Sequence, residues 1–187
     1  MAQPTPRFPQ LTSADLSDEQ RPLAGQIEKV SSVGIGGPYN ILLRSPVLGQ
    51  RMFDLLAYLR WNTSLPLSLN EFAILIVGLH WRSQVEWLAH RPIAIKAGLS
   101  SDLIDELKAG KRPSAMSAEE AAVYEFCNEL VAQRTVSDAT FAKARAVFSE
   151  QQIVDLTAVA GTYVTVAMLL EMAHQPVPEG REPPFAD

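Results

Sequence analysis

The sequence predicts an all-α protein, and three observations carry that prediction. Apolar residues recur at spacings of three and four along most of the 187 residues. Strand-like alternation is sustained nowhere. Serine, proline and glycine signals fall where helices should begin and end.

After a proline-rich arm, a helix is expected over about residues 17–30, with Pro22 set against its first turns. The stretch SVGIGGPYN, Ser32 to Asn40, reads as a loop. Ser45-Pro46 opens a second long helix, which carries Leu48, Met52, Leu55, Leu56 and Leu59 inward and ends near Asn62. Four later starts carry a Ser-x-x-Glu/Gln capping box: Ser68 with Glu71, Ser83 with Glu86, Ser117 with Glu120 and Ser149 with Gln152. Ser100 or Ser101 and Ser137 supply further starts, and Gly98 and Gly110 sit where helices stop in a left-handed turn. The last helix, about residues 151–174, is apolar on most of its circumference, as expected of a helix buried centrally or at a subunit contact. A proline-rich tail, PVPEGREPPFAD, follows.

Composition narrows the partners. Sixteen basic against 21 acidic residues give a net charge of -5, and no Lys/Arg cluster is present to neutralise a row of phosphates, so nucleic acid is not expected. The N-terminal MAQPTPRFPQ lacks a signal-peptide core, and the apolar run Phe72 to Leu79 is too short to cross a bilayer; a soluble, cytoplasmic protein without membrane contact is expected. A single cysteine, Cys127, rules out an internal disulfide, a Cys-x-x-Cys pair and a thiolate-rich zinc site.

The chemistry-bearing residues gather in WRSQVEWLAH, residues 81–90. On one helix Ser83, Glu86 and His90 stand at i, i+3 and i+7 and share a face, so a carboxylate lies one turn from an imidazole that it can hold as a proton donor. The same residues admit a structural reading: Ser83 as N-cap, Glu86 as its reciprocal partner, and His90 as a hydrogen-bonded core histidine. Trp81 and Trp87 either pack core or wall a pocket for a flat ligand. Glu71 opens the apolar run FAILIVGL. On a straight helix it would stand roughly 28 Å from His90, so the two can meet only if the chain bends near residues 78–83. His80 lies beside that bend, as a helix-end partner or a second candidate. Glu86 and His90 supply only two metal ligands, and spacing places no third, so no metal is expected.

The segment SLNEFAILIVGLHWRSQVEWLAHRPIAIKAGLSSDLIDELKAG, Ser68 to Gly110, resembles the carboxymuconolactone decarboxylase family, which shares the alkylhydroperoxidase D (AhpD)-like fold. The matching features are Glu71 before the apolar helix, then Glu86-Trp87-Leu88-Ala89-His90, then Ala94-Ile95-Lys96-Ala97-Gly98-Leu99. The stretch from Ser117 to Pro178 is similar to the family's C-terminal half. The resemblance covers residues 38–180, leaving 1–37 as an arm with the first helix and 181–187 as a tail. It implies an AhpD-like helical bundle that assembles as a homo-oligomer. The peroxidase branch uses Cys-x-x-Cys-x-x-x-His, and Ser83 and Glu86 stand here at the cysteine positions, so thiol peroxidase turnover is not expected.

What the resemblance implies instead is a cofactor-independent lyase acting on a small lactone or cyclic carboxylic acid. His90 would be the general acid, Glu86 its orienting partner and Glu71 a second acid-base group. Arg44 and Arg60, on the preceding helical segment, are candidates to hold the substrate carboxylate, as a guanidinium fork binds it with two hydrogen bonds. Tyr39, beside the glycine loop, is a further candidate. Two other readings use the same residues: another proton-transfer enzyme (isomerase, elimination or lactone hydrolysis), or a non-catalytic oligomeric ligand-binding protein.

Overall fold

The computed structural model describes residues 5–31 and 33–185. Residues 1–4 of the arm, Ser32 at the head of the expected loop and residues 186–187 of the tail lie outside the described residues. The helices, in chain order, are α1 (Arg21–Val30), α2 (Pro38–Leu42), α3 (Pro46–Trp61), α4 (Leu67–His80), α5 (Gln84–Lys96), α6 (Ser101–Lys108), α7 (Ala118–Asn128), α8 (Asp138–Val147) and α9 (Glu150–Ala173). A π-helical turn, Glu129–Gln133, extends α7. No strand occurs among the described residues.

The centre of the bundle is α4. Ten consecutive residues, Leu69 to Gly78, are buried, and a helix apolar on all sides is stable only where neighbours cover it all round. Here α5, α7 and α9 do so, with α3 and α6 at its margins. Among the described residues, α9 is the one helix long and apolar enough by length and composition to span a membrane, a feature the shorter run Phe72 to Leu79 does not reveal. In the bundle, 56% of its apolar stretch is buried.

Several boundaries differ from the sequence expectation, for local reasons. The first helix starts at Arg21, not Ser17, because Pro22 fits only the first turn, where no intrahelical N–H bond is needed. The expected loop at 32–40 ends early: Gly37 (φ 59°) turns the chain and Pro38 opens α2, burying Tyr39 to Leu42. The second predicted long helix forms as α3, yet Leu48 and Leu55, expected inside, are exposed on it, whereas Leu56 and Leu59 are buried. Ser117, Ser137 and Ser149 do cap their helices, the first and last as full capping boxes. The boxes expected at Ser68 and Ser83 do not form. Helix α4 begins after Pro66, which leaves Ser68 inside it, and Ser83 flanks α5 without a side-chain cap bond.

The two chain ends are tied to the body. Arg7 donates from its backbone N–H to the Ala173 carbonyl and from Nη1 to that of Met172, covering the end of α9. Near the other end Phe185 is buried, its ring edge-on to Trp87 at 5.1 Å. The Gln84 side chain both donates to the Phe185 carbonyl and accepts its N–H, each at 3.0 Å.

Candidate active site

A tight reversal between α4 and α5 creates the site. Trp81, Arg82 and Ser83 leave α4 in a turn whose C-terminal carbonyls are satisfied in the Schellman manner. The Ser83 N–H donates to the Gly78 carbonyl at 2.9 Å and the Arg82 N–H to that of Leu79 at 3.0 Å. Arg82 takes the left-handed conformation (φ 49°) that the motif requires. The chain then runs back along α4, and Glu71 and His90, nineteen positions apart, meet: His90 Nδ1 lies 2.7 Å from Glu71 Oε2. Both are buried, Glu71 completely and His90 to 7% exposure.

The histidine's partner is therefore Glu71 rather than Glu86, which the one-turn spacing had suggested. Glu86 is 3% exposed, and neither of its carboxylate oxygens has a hydrogen-bond partner. Burial pushes its carboxyl up to about 8, against a weaker opposing influence of the nearby Ser83 hydroxyl. Glu86 is thus mainly protonated at neutral pH, and it belongs to no capping box.

From α9, Tyr163 presents its ring edge to His90, centroids 5.0 Å apart and planes at 90°. The phenol is buried and held well above its ordinary range. Burial is the main cause; the Arg60 charge opposes it, and Glu71, Glu86 and Tyr39 add to it. The Arg60 guanidinium stacks on its neighbour Trp61 at 4.8 Å, and its Nε is buried without a hydrogen-bond partner. Tyr39 is buried and meets Phe53 edge-on.

Tyr163 escaped the sequence reading because α9 looks like packing throughout; the only signal was one aromatic hydroxyl within an apolar helix. Other candidates are engaged elsewhere. Arg44 lies over the Phe8 ring and donates to Asn40 and to the Pro9 carbonyl, so it fastens the N-terminal arm. His80 is exposed, its Nε2 2.8 Å from Asn128 Oδ1. Trp81 is half-buried against the core, while Trp87 is fully buried beneath Phe185. Ser83 is buried at the start of α5. Among the described residues no three His, Cys, Asp or Glu side chains are grouped so as to hold a metal ion.

Chemically, the arrangement offers an imidazole oriented by a carboxylate, a second carboxyl that carries a proton at neutral pH, and a guanidinium with an unused donor. Such a set can move protons on a bound anion in a site from which bulk water is largely excluded.

No protein-family profile matches this chain, and no curated protein does. Among solved structures it is similar to one described as an alkylhydroperoxidase AhpD core, an uncharacterized peroxidase-related protein from Ralstonia eutropha JMP134. The TM-score is 0.75 at 16% identity, over 95% of each chain. At that identity the likeness speaks for the architecture: the chain has the all-α, AhpD-like fold.

Proposed function

We propose that this protein is a cofactor-independent acid-base enzyme of the carboxymuconolactone decarboxylase type, acting on a small lactone or cyclic carboxylic acid. The observation that carries the proposal is the buried Glu71–His90 pair at 2.7 Å beside the unpartnered Glu86. In the reaction, the bond between the carboxylate carbon and the substrate carbon breaks and carbon dioxide leaves. The electron pair passes to an enolate, and His90, oriented by Glu71, delivers a proton to carbon. Glu86 supplies a second proton-bearing group one turn away. The negative charge moves from carboxylate to enolate oxygen within reach of Arg60, which favours both.

A thiol peroxidase reading finds no support in the residues. Ser83 and Glu86 occupy the positions where that chemistry needs cysteines. Cys127 is fully buried and its thiol is pushed up to about 12 by burial.

The enzyme is further proposed to work as a homo-oligomer. Val47, Leu48, Leu55 and Trp61 on α3 and Val154, Met168 and Met172 on α9 are exposed, more apolar surface than a lone helical bundle favours. Sedimentation of the full chain is expected to give a multimer; a clean 20.5 kDa monomer would remove this part of the proposal.

The reaction is tested by incubating wild type and His90→Ala with a panel of lactone acids, following carbon dioxide release and product mass. Wild type is expected to release carbon dioxide and His90→Ala to lose that activity. A product of unchanged mass would point to isomerisation at the same residues and sink the decarboxylase reading.

A further inference from the structure

The buried face of α9 runs through Leu156, Val159, Ala160, Tyr163, Val166 and Ala167. All but one of these are small or branched aliphatic residues, the kind that lets two helices pack closely. Tyr163 is the only aromatic residue in the helix, and it stands where α9 meets His90. The two rings lie with centroids 5.0 Å apart and planes at 90°. That is the perpendicular arrangement that aromatic quadrupoles favour. Both residues are buried, so neither ring can exchange this contact for bulk water.

His90 hangs from α5 by two rotatable bonds, and its bond to Glu71 ties down one atom, Nδ1, at 2.7 Å. One point of attachment leaves the imidazole free to tilt about it. The Tyr163 ring supplies a second point, from a different helix and against the ring itself. Glu71 on α4, Tyr163 on α9 and the backbone of α5 thus hold the imidazole from three elements. A carboxylate only accepts, so the Glu71 bond requires the hydrogen on Nδ1. Nε2 is then the nitrogen left to exchange a proton with a bound molecule.

We infer that Tyr163 is a positioning residue: its ring fixes the plane of the His90 imidazole, which keeps Nδ1 on Glu71 and leaves Nε2 to deliver the proton. This rests on the proposed acid-base site and deepens it. In the protonation step the Nε2–H bond breaks as the substrate C–H bond forms, and the imidazole is left neutral with its hydrogen on Nδ1. A ring that swings off Glu71 can carry its hydrogen on either nitrogen and loses the alignment that proton transfer needs. The ring and not the hydroxyl does this, so phenylalanine should serve in place of tyrosine and an aliphatic residue should not.

The experiment is nitrogen-15 NMR of the full chain labelled at histidine, at a pH where His90 is neutral, with its signals identified by their loss in His90→Gln. Wild type is expected to show His90 as the Nδ1–H tautomer alone. Tyr163→Phe should give the same spectrum. Tyr163→Leu, or Tyr163→Met should the leucine variant fail to fold by circular dichroism, should add the Nε2–H tautomer. On a lactone acid that wild type turns over, the aliphatic variant should lose roughly tenfold to a hundredfold in kcat with KM little changed, and Tyr163→Phe should stay close to wild type. A wild-type hydrogen on Nε2 would overturn the inference before any variant is made. So would a folded aliphatic variant with the wild-type spectrum, or a Tyr163→Phe that behaves like Tyr163→Leu, which would transfer the role to the hydroxyl. A tautomer shift in the aliphatic variant, with no lactone acid turned over by wild type, would uphold the positioning role and remove the decarboxylase reading alone.

Discussion

Asp155 is buried, yet it accepts the Ser64 amide at 2.8 Å, the Ser64 hydroxyl at 2.7 Å and the Tyr58 hydroxyl at 3.1 Å. Burial pushes its carboxyl up, but these three donors together pull it below the ordinary range. Glu86, which lacks such donors and has only a weaker opposing influence from the Ser83 hydroxyl, is pushed up to about 8 by burial. The two acids therefore act on stability in opposite senses. Asp155 stabilises the fold above its unfolded value, and that contribution disappears as pH falls through its lowered folded value. Glu86 holds in the folded state a proton that the unfolded chain has released, so its contribution is complete below about pH 4.5 and disappears as pH rises to about 8. Denaturant titrations should show wild type losing stability across that window relative to Glu86→Gln, with a slope approaching about 1.4 kcal/mol per pH unit. Parallel curves for the two proteins would place Glu86 in contact with solvent. Cys127 offers a separate check: its buried thiol should not react with a disulfide reagent at pH 8 until the protein unfolds, and rapid labelling of native protein would contradict its position.

At the scale of elements, the sequence announced helix starts more reliably than it announced which serine would cap them. Ser149 and Gln152 form a complete box, so Ser149→Ala should cost about 1 kcal/mol in thermal unfolding. Ser83→Ala should cost well under that, because the same four-residue pattern there makes no cap bond. The difference is tertiary. The Glu71 carboxylate is claimed by His90 and that of Glu86 is folded inward, and neither event is written in a local pattern. Gly49 makes the same point: a Cβ there would stand 2.6 Å from the Leu42 carbonyl oxygen and 2.8 Å from Leu23 Cδ2. Nothing in the sequence VLGQRM marks that close approach, and Gly49→Ala should destabilise by about 1 to 3 kcal/mol. An unchanged melting temperature would show that α3 can move aside.

For the whole molecule, the helical class and most of the helix order were legible, because hydrophobic periodicity and punctuation are local signals that the fold did not override; the sequence expected the last helix at the centre or at a subunit contact, whereas α4 holds the centre and α9 packs against it. The site was half legible. Glu71, Glu86 and His90 could be picked out, and the break near Ser83 hinted that Glu71 and His90 could meet. Their pairing depends on the left-handed turn at Arg82, a residue with no intrinsic preference for it. The contribution of Tyr163 from α9, nearly a hundred positions from Glu71, depends on packing alone. Arg44 and Arg60 were indistinguishable in the sequence. Only the folded chain separates the arginine that fastens the arm from the one with a buried, unused donor.

The central claim is that the Glu71–His90 pair moves the proton. The most direct measurement compares the rate of carbon dioxide release in wild type, His90→Gln and Glu71→Gln, each shown to be folded, on the best lactone acid found. The account predicts a loss of roughly a hundredfold to ten-thousandfold for His90→Gln and a smaller loss for Glu71→Gln. Equal rates in wild type and His90→Gln would contradict it.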